Sequence, residues 1–409
     1  MPSQQAPAVA PASAAARERR TLAAAATAHI LHDGYTDLLY VLLPVWQAEF
    51  GLGFAEVGLL RASYTGIMAA LQIPASMLAE RLGPVVVLVL GTMLSAACFL
   101  LAGASLGVAS LLAALALGGL GASVQHPIAS SLVSAAFDGA RSRTALGVYN
   151  FTGDLGKMAM PVLAALLLSA MPWRQALWVL GGLGIACAAL VLALAPAGAS
   201  ARLRPNEDAA KRAAAAQPAS AAPARHGFLL LLAIAMIDCA GRSGFLTFLP
   251  FLLKAKEASI ASIGSALSLL FVGGAAGKLV CGFLGARIGL LNTVLLTEGL
   301  TAIGIIALLP LPLPAALALM PLLGIGLNGT SSALYGTVPE LVTPTRRARA
   351  FGIFYTGAIA ASAATPPLIG LIGDGFGVTT AMLIIAVTVL ATVPLSALLM
   401  PMLPAPARG

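Results

Sequence analysis

Residues 21–46 read TLAAAATAHILHDGYTDLLYVLLPVW, and this stretch decides the fold. At 1.5 Å of rise per residue, a helix of about 20 residues crosses the apolar core of a bilayer. The stretch is long enough, yet it carries His29, His32, Asp33 and Asp37. A charged side chain at the centre of a membrane helix costs about 2.5–3.5 kcal/mol on insertion scales, so such residues mark pairing or function. His29, Asp33 and Asp37 recur at intervals of four, with His32 beside them, which predicts one polar helical face. The opposite face is Leu, Ile, Val and Ala, turned to lipid or to neighbouring helices. A polar patch can serve only to hold helices together, but four ionisable groups exceed what that role needs.

The rest of the chain agrees with a membrane environment. Of 409 residues 59% are hydrophobic and only 9% charged, against about 25% charged in soluble domains. The apolar runs are continuous, which excludes the alternating pattern of a transmembrane barrel. The net charge of +8 does not indicate a nucleic-acid partner, because Lys and Arg sit in short clusters between apolar runs, where topology signals belong. Cys98, Cys187, Cys239 and Cys281 all fall inside apolar spans without C-x-x-C spacing, so reduced thiols are expected rather than disulfides or a metal centre.

Twelve apolar spans can be marked, at about 22–46, 55–80, 84–104, 108–136, 142–169, 174–196, 228–253, 259–284, 289–309, 314–340, 347–373 and 377–400. Residues 1–20 read as a disordered cytosolic tail, 21–196 as a six-helix bundle, 197–227 as a polar cytosolic linker, 228–400 as a second six-helix bundle, and 401–409 as a cytosolic tail. With the N-terminus in the cytosol, sixteen Lys and Arg residues fall in inner loops, against Arg174, Lys254 and Lys256 outside. That asymmetry predicts both termini inside the inner (cytoplasmic) membrane.

The halves repeat. Residues 76–83 (SMLAERLG) match 282–289 (GFLGARIG) at an offset of 206, and Pro44 and Gly58 match Pro250 and Gly264 at the same offset. Residues 143–148 (RTALGV) resemble 348–353 (ARAFGI) one residue off that register. Six helices return the chain to its starting side, so the repeat is parallel about an axis along the membrane normal, as in transporters that rock around a central site.

On these residues the chain resembles the major facilitator superfamily over nearly its whole length. Glu80, Arg81 and Gly83, and again Arg287 and Gly289, look like that superfamily's conformational loop signature. Both copies are degenerate: Ser76 and Pro84 replace a usual glycine and basic residue, and Ala286 stands in the acidic position. Within the superfamily the chain is similar to the fosmidomycin-resistance efflux branch. The likeness rests on His29, Asp33 and Leu43-Pro44, on residues 121–127 (GASVQHP) with Ser130-Ser131, and on residues 151–156 (FTGDLG) with 161–165 (PVLAA). Met160-Pro161 stands where drug–proton antiporters usually carry Gly-Pro, and Asp154 and Lys157 are added charges.

The resemblance implies an all-α fold of twelve transmembrane helices in which spans 1, 4, 7 and 10 line a central cavity. The buried charges follow that layout: His29, His32, Asp33 and Asp37 in span 1, Arg61 in span 2, His126 in span 4, Asp154 and Lys157 in span 5, Asp238 and Arg242 in span 7, Lys278 in span 8. Glu298 in span 9 has no assigned role. Depth along the helices predicts an Asp37–Arg61 structural pair. The spacings of Asp154 with Lys157 and of Asp238 with Arg242 fit intrahelical salt bridges. They also fit a balanced set that exchanges partners when a proton or a charged substrate arrives. His126 precedes Pro127, which predicts a bend in the cavity wall.

No nucleotide-binding loop or enzyme constellation stands out, so an ion gradient is the expected energy source and no cofactor or metal is required. The reading is a monomeric secondary transporter moving a small organic molecule. Protons couple at Asp33 with His29 and His32, and substrate meets His126, Asp154, Lys157, Asp238, Arg242 and Lys278. Proton-coupled efflux by antiport comes first. Uptake of an organic anion is the alternative, as is transition-metal transport through His29, His32, Asp33 and His126; sodium is the alternative coupling ion.

Overall fold

In the computed structural model, residues 14–137, 139–196, 225–343 and 347–403 are described. The tail expected at 1–13, most of the expected linker (197–224) and residues 404–409 lie outside them. The described chain is helical with no strand. In order it forms α1 (Ala14–Phe50), α2 (Phe54–Leu82), α3 (Pro84–Gly103), α4 (Val108–Ala122), α5 (Gln125–Ala136), α6 (Gly139–Ala170) and α7 (Trp173–Leu194). The second half forms α8 (Arg225–Ala255), α9 (Ile260–Ile288), α10 (Leu290–Leu308), α11 (Leu313–Leu341), α12 (Arg347–Leu390) and α13 (Thr392–Leu399). Among the described residues eight helical runs are, by length and composition, long and apolar enough to cross a membrane.

Local chemistry sets the breaks. Span 4 divides into α4 and α5 because Pro127 has no N–H for the Ser123 carbonyl, and the chain turns at Ser123–Val124. Gly83, Gly289 and Gly377 hold φ of +92°, +82° and +83°, a region that only glycine enters cheaply. Gly83 and Gly289 are the repeat-related glycines of the loop signature. Gly377 kinks α12 between the expected spans 11 and 12, and span 12 continues into α13.

One expectation is corrected here. Residues 14–20 are not a disordered tail but the first two turns of α1. Arg20 holds them in place by donating to the Ala193 and Leu194 carbonyls at the end of α7, at 2.8 and 3.1 Å, which satisfies orphan C-terminal groups. Of the two surroundings expected for the apolar face of α1, lipid or neighbouring helices, the structure shows the second. Tyr35, Leu38, Leu39, Leu42, Leu43 and Trp46 are fully buried, because α3, α5, α6 and α7 surround the helix.

The bundles press together toward the α1–α2 turn and part toward the α2–α3 turn. At the first end a Cβ on Gly58 would collide with the backbone of Pro366 and Pro367, and one on Gly264 with Pro161 and Ala165. These contacts, α2 on α12 and α9 on α6, are related by the internal repeat. A third is one-sided: the Phe54 and Ala55 amides at the start of α2 donate to the two carboxylate oxygens of Asp374 on α12, at 2.5 and 3.0 Å. At the other end Gly147 and Gly352, also repeat-related, have no atom within 4 Å of a would-be Cβ.

In the loop signature, Arg287 stacks over Phe283 of its own helix at 4.3 Å. Among the described residues no ion pair engages Glu80, Arg81 or Arg287 at this open end.

Candidate functional site

The site gathers around Asp33, halfway along α1. Its Oδ2 lies 3.3 Å from His29 Nε2, one turn back, and 3.3 Å from Lys157 Nζ on α6. Its Oδ1 lies 3.6 Å from His126 Nε2 at the start of α5. Three helices thus bring three bases to one carboxylate. Asp33 is buried, whereas the His126 side chain is 50% exposed and opens to the cavity.

Glycines let α1 and α6 come close enough for this. A Cβ on Gly153 would stand 2.5 Å from His29 Nε2 and 2.7 Å from Asp33 Oδ2, and one on Gly156 would run into the Ile30 carbonyl. The His29 ring is fixed on three sides. It stacks on Tyr149 with centroids 4.2 Å apart, meets His126 edge-on at 5.4 Å, and its Nδ1 donates to the Tyr149 carbonyl at 2.8 Å. Gln125 in turn donates to the Tyr149 hydroxyl at 3.2 Å. Gln125, Gly153 and Gly156 entered the sequence reading only as parts of the family-like stretches 121–127 and 151–156, with no role in the site, and Tyr149 did not enter it. The available signal was the i, i+3 spacing of the two glycines flanking Asp154, which puts a smooth strip on α6.

The other expected residues divide. Asp154 does not pair with Lys157 on its own helix. It accepts from Lys278 Nζ of α9 at 2.5 Å, so an ion pair joins the two bundles, and Lys157 is left for Asp33. The Asp37–Arg61 pair does not form. Arg61 donates instead to the Thr36 carbonyl at 2.8 Å and to the Tyr40 hydroxyl at 2.9 Å, and its guanidinium lies 4.3 Å from the centre of the Tyr40 ring. The backbone and Tyr40 on the same face of α1 satisfy it first.

Asp238 and Arg242 are likewise not in ion-pair contact. Arg242 donates to Cys239 Sγ at 3.4 Å, while the Asp238 carboxyl shares a hydrogen bond with buried Glu298 of α10. Glu298 therefore packs acid to acid against α8 and also reaches Thr330. His32 is turned away from Asp33. Its Nε2 meets Thr92 Oγ1 at 3.0 Å and its Nδ1 meets Ser95 Oγ at 3.5 Å, so the ring is built into the α1–α3 interface.

Comparison with known proteins places this arrangement. The family model described as Major Facilitator Superfamily matches residues 25–237 and 231–409. A protein of Cupriavidus pinatubonensis (strain JMP 134 / LMG 1197), named "Probable 4-methylmuconolactone transporter", is 26% identical over 373 residues, 90% of this chain and 86% of that protein. The fosmidomycin resistance protein of Escherichia coli (strain K12) is 29% identical over 185 residues, 43% of this chain and 44% of its own. Among solved structures, a bacterial homologue of the human lysosomal transporter Spinster, in an inward-facing and occupied conformation, has a TM-score of 0.80 at 16% identity. That likeness covers 96% of this chain and 99% of the other, and it is a likeness of fold.

Proposed function

Because the chain belongs to the Major Facilitator Superfamily and is a membrane transporter rather than an enzyme, we propose that it moves a small organic molecule by alternating access, driven by protons bound at the His29–Asp33 pair. The observation that carries this reading is the orientation of His29. The Tyr149 carbonyl can only accept, so Nδ1 holds a hydrogen and donates. Nε2 then faces Asp33 Oδ2 at 3.3 Å. Two acceptors at that distance repel, so a proton belongs to the pair, on the ring or on the carboxyl.

Lys157 suggests the coupling. With Asp33 ionised, Lys157 has its counterion. With Asp33 neutral, the ammonium is released in a cavity where an anion can take it. Proton and anion then bind together, which is co-transport, and an inward proton gradient would drive uptake of an organic anion. The geometry therefore favours the second of the sequence-based alternatives. Export by antiport remains the reading favoured by the likeness to the fosmidomycin resistance protein over part of the chain.

Transition-metal transport is less well supported. His29, Asp33 and His126 do bring three ligand atoms within 4.8 Å of one another. The Lys157 ammonium, however, sits 3.3 Å from the same Asp33 oxygen, a fixed positive charge where a metal ion would be.

With both termini placed in the cytosol, the open end faces the cytosol. The deciding experiment is flux in proteoliposomes under imposed pH gradients of either sign. Accumulation of an organic acid with acid outside, abolished in Asp33→Asn, is the expected result. Accumulation that ignores the proton gradient in the wild-type protein would overturn the reading.

A further inference from the structure

The proton pair leaves two charged groups of the cavity unused, and they come from opposite bundles. Asp37 lies one turn beyond Asp33 on α1 and is 7% exposed, yet among the described residues it has neither an ion pair nor a hydrogen bond. The cations whose fields reach it are Lys157, Arg61 and Arg242. Two of these are committed. Lys157 is on Asp33, and Arg61 spends its two terminal nitrogens on Thr36 and Tyr40. A carboxylate largely buried yet not sealed off, and without a protein donor, is placed to take a donor brought by a ligand.

Arg242 is the complement. The repeat offset of 206 maps it onto position 36, next to Asp37, so the two stand at one depth on helices related by the pseudo-twofold axis. Among the described residues its guanidinium makes one hydrogen bond, to a sulfur, which is a weak acceptor. The carboxylate of its own helix is turned to Glu298. A planar guanidinium with free N–H groups matches a carboxylate.

We infer that Arg242 and Asp37 are the two poles of the substrate site, and that the substrate is an organic acid carrying a second, hydrogen-donating group, hydroxyl or ammonium. The carboxylate lies on Arg242, with Lys157, whose charge reaches Arg242, joining it once Asp33 takes a proton, and the donor lies on Asp37. This rests on the reading that the cavity carries a small organic molecule, and it deepens that reading by naming the chemistry. A buried acceptor built to meet a donor rejects the analogue that lacks one, because it would be left unpaired.

The test is a binding panel on the full-length purified protein, read by thermal stabilisation and titration. Matched aliphatic and aromatic carboxylic acids are each offered bare, hydroxylated and aminated. In the wild type, at least one donor-bearing acid should bind about tenfold or more tighter than its bare parent. The hydroxyl and amino arms identify the donor. Arg242→Gln should weaken every acid, while Asp37→Asn should erase the preference and leave bare acids unchanged.

If bare acids bind as tightly as the donor-bearing ones in the wild type, the inference is overturned, and that result needs no variant to fold. A preference that survives in folded Asp37→Asn overturns it as well. Transport and binding fail separately. Donor-selective binding without gradient-driven flux would sink the coupling reading alone. Proton-driven flux of bare acids would sink this inference alone.

Discussion

The two halves share a scaffold but not a chemistry. Gly58 and Gly264 make the matching close contacts between bundles, Gly83 and Gly289 make the matching turns, and Pro44 and Pro250 lie at matching places inside α1 and α8. On α1, Asp33 is met by two histidines and a lysine within 3.6 Å. On α8, among the described residues, Arg242 has a sulfur as its hydrogen-bond partner, and Asp238 has another carboxyl and the Cys239 thiol. Duplication fixes what backbone packing demands, because glycine positions in a close helix contact tolerate no Cβ. It leaves cavity side chains free to diverge. The division suggests that the proton is bound in the first half alone, while Arg242 brings the charge of the second half to the substrate.

The largest effect should come from Asp33→Asn, which keeps the size and removes the titration. Gradient-driven accumulation should fall to the level of empty liposomes, while energy-independent exchange persists. The mirror-image change, Asp238→Asn, should leave the driving force intact. If the two variants lose accumulation equally, the proposed division between halves is wrong.

Next in size is the pair that joins the halves. Lys278→Gln should leave Asp154 buried without its cation, at about 1–2 kcal/mol. That is below the 3–5 kcal/mol of a fully buried pair, because Lys278 is more than a third exposed. Adding Asp154→Asn should restore most of the melting temperature. A double variant no more stable than Lys278→Gln would mean that the contact does not couple the bundles.

How much of this was legible in the sequence follows from the physics of each signal. The spans, the repeat and the family likeness were legible because they rest on long apolar runs and backbone glycines, which one chain displays directly. Asp33, His29, His126, Lys157 and Lys278 were named as site residues; in the structure the first four meet at the Asp33 carboxylate, and Lys278 pairs with Asp154. Their pairing was not legible. Spacing along one helix suggested Asp154 with Lys157 and Asp238 with Arg242; Lys278 of another helix takes Asp154, and Arg242 turns to Cys239 one turn back on its own helix. His32 was misleading for the same reason: periodicity gives its angle around α1 only roughly, and the hydroxyls of α3 decide where the ring turns. Tyr149 and Gln125 act through a backbone carbonyl and a second layer of hydrogen bonds, for which a single sequence has no signature.

The symmetric contacts allow a finer test. Gly58→Ala would push a methyl into the backbone of Pro366, and Gly264→Ala would push one into Ala165 and the Pro161 carbonyl. Overpacking of this kind costs about 1–3 kcal/mol. Each change should therefore bias the protein toward the state in which this end is open, measured as faster labelling of a cysteine placed there. If the two halves share one scaffold, the two shifts should agree within error. A shift from only one of them would show that the closed end is held asymmetrically.

The smallest effect tests an asymmetry that is already visible. The start of α2 is held by Asp374 of the other bundle, through two amide-to-carboxylate bonds. The repeat-related start of α9 is capped by its own Ser259, which accepts from the Ser262 amide at 3.1 Å. A carboxylate at a helix N-terminus satisfies orphan amides and meets the positive end of the helix dipole, together worth about 1 kcal/mol. The cap at Ser259 costs nothing when the bundles separate. The cap at Asp374 must break, so it weights the equilibrium toward closure at this end. Asp374→Ala should shift that equilibrium by about fivefold without lowering the stability of either bundle. Spin labels on Ala48 and Phe376, on either side of the contact, would read the shift as a larger population of long distances. Ser259→Ala should instead lower the melting temperature slightly and leave the distance distribution unchanged. If Ser259→Ala moves the distances as much as Asp374→Ala does, the carboxylate is an ordinary helix cap and not a latch between the halves.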